Sequence, residues 1–206
     1  MRSLLLILVV SAAAAAPARG QQPKGAIGIE AARRGGVVIV CRHAITESAD
    51  ENETTLRYDD PSTQRRLSAR GERQAEALGK AFRALAIPIG EVIASPMQRA
   101  KLTAELAFGR AVLDSSWHTR GENFDGPKRQ SRVVHLSRPA QRGNRVIVSH
   151  IGTIYSVLPS IRGELEEGDC AVIRPRGDEK HDVIEVVSWR AWMRAAHLDD
   201  TLPAIF

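Results

Sequence analysis

VVIVCRHAITES, residues 37–48, decides how this chain folds. Val37 to Arg42 reads as one short strand, apolar without alternation until its end, the pattern of a strand covered on both faces. Polar character then arrives abruptly in Arg42, His43, Thr46, Glu47 and Ser48. A buried strand that ends in Arg-His is either dissolving into solvent or delivering both side chains to a site. The other strand ends choose between these.

Similar Val- and Ile-rich runs recur as EVIAS from Glu91, RVIVS from Arg145, and CAVIRP and DVIEVV near the end of the chain. Helical patterns separate them. Ser68 is placed to cap ARGERQAEALGKAFRAL, where Ala75, Leu78, Phe82 and Leu85 form one apolar stripe. Ile87 to Gly90 breaks that helix. A second helix is expected from about Met97 to Phe108, stopped by Gly109, a third from SHIGT through Leu158, and a fourth over SWRAWMRAAH. Strands alternating with helices of this length imply an α/β fold, a three-layer sandwich with a mostly parallel central sheet flanked by helices.

Sites in open sheets of this kind gather beyond the carboxyl ends of the strands. EVIAS is followed by PMQRAKLTAE, which puts Arg99 in the first turn of a helix. RVIVS is followed by HIGT, which puts His150 at a strand tip. Three strands thus end in Arg42 with His43, in Arg99 and in His150. Two guanidinium groups and two imidazoles are the equipment of phosphoryl transfer. The guanidinium fork matches phosphate oxygens and stays charged. One imidazole can attack phosphorus while the other, protonated, binds an equatorial oxygen.

The bulk properties bound the setting. MRSLLLILVVSAAAAAPARG, residues 1–20, has the basic start, apolar stretch and small-residue exit of a secretory signal. Its apolar core is too short for the roughly 18–20 residues of a membrane span, so no stable membrane insertion is expected after cleavage. Removing it takes away Arg2 and Arg19 and leaves a net charge of +3 over 186 residues. Residues 21–35 read as a linker or peripheral helix and 36–206 as one domain. Without a dense basic run interleaved with aromatics, nucleic acid is not an expected partner. Cys41 and Cys170 are too few for a disulfide framework and read as two buried apolar thiols, although export would permit a bridge.

RHA after the first strand, LSARGERQAEALGKAF, ASPMQRAKLTAEL and VSHIGTI, in that order, resemble the histidine phosphatase superfamily, the phosphoglycerate mutase-like fold. The resemblance runs from about Gly36 to Val187. It implies that His43 is transiently phosphorylated, that Arg42, Arg99 and His150 form the phosphate pocket, and that no metal or other cofactor takes part. It also implies an acid that protonates the leaving oxygen, for which HTRGENFDGP offers Glu122, ahead of Asp125. The chain departs from the family in Ala44, where glycine is usual, and in Ile45, where many mutases carry an acid.

Thr46 is a further candidate for a phosphate oxygen. The loop from Glu47 to Arg66 reads as a lid or a solvated excursion. His118, His135, His181 and His197 show no metal spacing and read as surface or packing residues. Lys128, Arg129, Arg132, Arg138 and Arg142 read as a solvated face, and Trp189 and Trp192 as packing. The expectation is an exported, in a bacterium periplasmic, phosphomonoesterase acting on a small phosphorylated substrate. A phosphomutase and a catalytically idle phosphate-binding module are the rivals. A phosphohistidine phosphatase acting on a partner protein fits poorly with export.

Overall fold

In the computed structural model the described residues are 23–47, 60–118 and 126–202. The signal segment, residues 48–59 of the long loop, Glu122 and Asp125 lie outside them. Six strands, β1 Val38–Arg42, β2 Ile89–Ala94, β3 Val112–Leu113, β4 Asn144–Ser149, β5 Cys170–Gly177 and β6 Lys180–Val187, form one sheet in the order β3-β2-β4-β1-β5-β6. The β3-β2-β4-β1 part is parallel, and β5 and β6 complete it as an antiparallel hairpin.

Alternate residues of each strand face opposite sides, and both sides are covered. Ile39, Cys41, Val146 and Val148 point to a layer built from α1 Ala26–Arg34, α2 Ala69–Ala84, α3 Gln98–Phe108 and α6 Trp189–Ala195. Val38, Val40, Ile93 and Ile147 point to α4 Pro127–Ser137 and α5 Ile151–Val157, where Leu136 and Ile154 are buried. The continuous apolar reading of the strands follows from this double cover. Trp192 lies 4.7 Å from Phe82, ring to ring, and pins α6 onto α2. Helix α1 is anchored by Glu185 of β6, whose carboxylate accepts from the amides of Gly25 and Gly28. Among the described residues no helix is long and apolar enough to cross a membrane.

Two readings need correction. Cys41 and Cys170 are joined in a disulfide rather than being separate thiols. They lie 129 residues apart in sequence, yet they are direct partners across the antiparallel β1–β5 pair, with Cα atoms 4.0 Å apart. That register exists only once the β5–β6 hairpin docks beside β1. Arg132 is not on a solvated face: it is 0% exposed and donates from Nη1 to the Ser116 carbonyl at 2.7 Å. Its stem fills space between α4 and the segment after β3.

Candidate active site

Parallel pairing fixes which strand ends meet. Arg42 is level with Ser149, and Ala94 with Val148, so β1, β2 and β4 finish on the same edge. Hydrogen bonding continues past the strand ends: the His43 amide donates to the Ser149 carbonyl at 2.9 Å and the Ser95 amide to the Val148 carbonyl at 3.0 Å. These two bonds set His43 and Ser95 on either side of the β4 tip, where His150 follows.

Arg42, His43, Arg99 and His150 come together there, whereas Glu122, the expected acid, lies outside the described residues. The His43 and His150 rings are 5.4 Å apart, and the residues are 2% and 9% exposed. Arg99, 7% exposed, lies in the first turn of α3, close enough to disfavour the charged form of both imidazoles. Thr103, one turn on, donates to the Arg99 carbonyl at 2.6 Å and accepts the Ala44 amide at 3.0 Å. This couples α3 to the chain leaving His43. Arg42 reaches the Leu165 carbonyl through Nη1 at 3.2 Å. The Thr46 hydroxyl donates to Glu167 at 3.0 Å.

Nδ1 of His43 lies 2.9 Å from the Ala44 carbonyl. A carbonyl only accepts, so Nδ1 carries the proton and Nε2 keeps its lone pair. Burial is the largest influence on this ring, with Arg99, Arg42 and Arg65 acting the same way. Against the opposing bond to Ala44, they push its pKa down to about 3. His43 is therefore a neutral imidazole with a nucleophilic Nε2 across the physiological range.

His150 differs from expectation. Burial first, then Arg99, His43, His118 and Arg65, hold its pKa well below the usual value, so the ring is neutral in this state rather than protonated. Its Nε2 sits 2.8 Å from the Ser95 hydroxyl. Nδ1 is buried and has no hydrogen-bond partner among the described residues. With Ser95 donating to Nε2, a neutral His150 carries its proton on Nδ1.

Four neighbours were not singled out from the sequence. Ser95 was visible inside ASPMQRAKLT as the strand-end residue itself. Arg65, which bears on both imidazoles, comes from the loop whose Gln64 accepts the Gln98 amide at the start of α3. His118, read as a surface or packing residue, is buried and stands edge-on to His150, ring centroids 5.1 Å apart. Nothing in its local sequence marks it. Glu167 lies 3.6 Å from Arg42 Nη2 and 3.9 Å from His43 Nδ1. It was missed because β5 runs antiparallel to β1, so its amino end, not its carboxyl end, borders the site.

Among the described residues no group of three or more His, Cys, Asp or Glu is placed to hold a metal ion. The arrangement can present a nucleophilic nitrogen to a tetrahedral anion surrounded by guanidinium and imidazole donors.

Residues 38–122 match the family model of the histidine phosphatase superfamily, branch 1. No curated protein sequence matches the chain. Among solved structures, the fold is similar to that of the protein histidine phosphatase SixA complexed with tungstate. The two share 15% identity at a TM-score of 0.56, covering 74% of this chain and 97% of that one. An assigned phosphohistidine phosphatase SixA from Nakamurella multipartitia aligns at 20% identity and a TM-score of 0.53, covering 73% of this chain and 94% of the other. An assigned alpha-ribazole-5'-P phosphatase from Escherichia coli aligns at 14% identity and a TM-score of 0.50, covering 75% and 97%.

Proposed function

We infer that this chain, which carries the histidine phosphatase superfamily pattern over residues 38–122 on the fold shared with SixA, is an exported phosphatase that hydrolyses phosphate monoesters through a phosphohistidine. The observation that carries the reading is the tautomer of His43: Nδ1 is committed to the Ala44 carbonyl, burial keeps the ring neutral, and Nε2 is left to attack. Nε2 forms a bond to phosphorus as the bond to the ester oxygen breaks. Arg42, Arg99 and His150 balance charge on the equatorial oxygens. Water then attacks phosphorus, the P–N electron pair returns to Nε2, and inorganic phosphate leaves.

The departing alkoxide needs a proton, a contribution of about a hundredfold or more. Glu122 is proposed for it on the resemblance alone. The disulfide between Cys41 and Cys170 supports export, since such bonds persist in oxidising compartments. Tungstate, the tetrahedral oxyanion bound to the related SixA, is expected to compete with substrate here.

The test is release of inorganic phosphate from an aryl phosphate and from a panel of phosphorylated sugars, with His43→Ala as control. Turnover is expected in the native protein and absent in the folded variant. Near-native turnover in His43→Ala would overturn the reading. Conservation of organic phosphate would identify a mutase. Tight phosphate binding without turnover of an aryl phosphate would identify a binding module.

A further inference from the structure

Glu167 is out of place in a pocket built for an anion. One carboxylate oxygen meets three groups of the site: the Thr46 hydroxyl at 3.0 Å, Arg42 Nη2 at 3.6 Å and His43 Nδ1 at 3.9 Å. Its backbone is held as well, because Gln74 Nε2 donates to the Glu167 carbonyl at 2.9 Å while Gln74 Oε1 accepts the Ile45 amide. The next residue, Gly168, donates its amide to the His43 carbonyl at 3.0 Å. A side chain at position 168, where φ is +87°, would run into Gln74. The carboxylate is thus fixed from both sides, and a fixed negative charge there repels phosphate in the ground state.

The repulsion has a counterpart in the reaction. When Nε2 gives its lone pair to phosphorus, the ring keeps its proton on Nδ1 and becomes a phosphoimidazolium of charge +1. Glu167 is the carboxylate on the Nδ1 side of that ring. Because the phosphoryl group occupies the Nε2 side, Glu167 is on the wrong side of the ring to protonate the leaving group.

We propose that Glu167, clamped by Thr46, is a positioning residue that orients Arg42 and offsets the positive charge arising on His43 as the phosphohistidine forms. This rests on the hydrolytic reading above. It assigns Thr46 to holding Glu167 rather than to binding a phosphate oxygen. No proton passes through Glu167: the leaving oxygen takes its proton from the separate acid, and the proton of the attacking water returns to it.

The experiment measures two quantities with 4-nitrophenyl phosphate, the rate of His43 phosphorylation by rapid quench and the inhibition constant of inorganic phosphate. Glu167→Gln keeps an acceptor for Thr46 and removes the charge. It is expected to slow phosphorylation about tenfold while tightening phosphate inhibition about threefold. A purely structural role would not move the two in opposite directions. Thr46→Val should slow phosphorylation without weakening phosphate binding. The assignment is overturned if Glu167→Gln leaves both quantities within about twofold of native or weakens phosphate binding, or if Thr46→Val weakens it about tenfold. His43→Ala separates the premises: turnover surviving there sinks the function and this assignment together, whereas turnover lost there but unchanged in Glu167→Gln sinks the assignment alone.

Discussion

His43, the proposed nucleophile, ties its own reactivity to stability through one proton. The unfolded chain takes up that proton below about pH 6.5, whereas the folded ring resists it down to about 3. Between these values the unfolded state binds more protons, so stability is full above about pH 6.5 and falls as the pH drops, by about 1.4 kcal/mol per pH unit for each such imidazole. His150 is shifted in the same direction and adds to the slope. Denaturant unfolding from pH 7 to pH 4.5 should show the decline, and His43→Asn should make it shallower by about one proton; an unchanged slope would mean His43 titrates normally when folded. Arg99 supports a second prediction. It is buried in the first turn of α3, and a lysine there keeps the charge but loses the planar fork. Arg99→Lys is expected to lower kcat/KM about a hundredfold, close to the cost of Arg99→Ala, in steady-state assays with the aryl phosphate. Recovery to within a few-fold of native would show that charge alone suffices.

At the scale of elements, α2 shows what was legible in the sequence and what was not. Ser68 caps it as its position before the apolar stripe implies, with Oγ accepting the Gly71 amide at 3.1 Å, and Ala75, Leu78 and Phe82 are buried. Less legible was that the same cap grips the segment that follows His43. The Ser68 amide donates to the Ile45 carbonyl at 3.0 Å, two residues beyond His43, and Gly71 approaches that carbonyl so closely that a Cβ would overlap it. Ser68→Ala should therefore cost about 1 kcal/mol of stability and leave the loop largely in place. Gly71→Ala, a better helix former in isolation, should instead lower stability by about 1–3 kcal/mol and reduce kcat together with it, since Ile45 must move. Thermal melts and kcat for the two variants check this; a stabilised, fully active Gly71→Ala would show that Ile45 yields freely. The same limit explains the rest of the site. Arg42, His43, Arg99 and His150 were readable because each directly follows an apolar strand or opens a helix. Arg65, His118 and Glu167 depend on loop paths and on the antiparallel entry of β5, which no local pattern encodes.

Across the whole molecule, the parallel β3-β2-β4-β1 part carries the proposed nucleophile and its guanidinium partners, while the segment leading into the β5–β6 hairpin supplies the opposite wall. Leu165 and Glu167 hold Arg42, Gly168 holds His43, and the Asp169 carbonyl accepts the Arg42 amide at 3.0 Å. This wall leads directly into Cys170, whose disulfide to Cys41 ends one residue short of Arg42. The cross-link therefore joins the two halves of the domain at the edge of the pocket, and it closes a loop of 129 residues. A bridge across so long a loop removes much of the freedom of the unfolded chain, worth about 2–4 kcal/mol in typical proteins. Cys41→Ala with Cys170→Ala should lower the unfolding free energy by that amount in urea titrations. Antiparallel backbone pairing persists between β1 and β5 in the variant, so the fold should survive, but the wall loses its anchor, and kcat/KM should fall together with stability. Dithiothreitol added to the native protein should reproduce both effects only as fast as the buried bond becomes exposed. Its effect should therefore lag in native buffer and accelerate in mild denaturant. If the variant matches the native protein in both urea midpoint and kcat/KM, the hydrogen bonds from residues 165–169 hold the wall without the bridge, and the two halves of the pocket owe their alignment to the sheet alone.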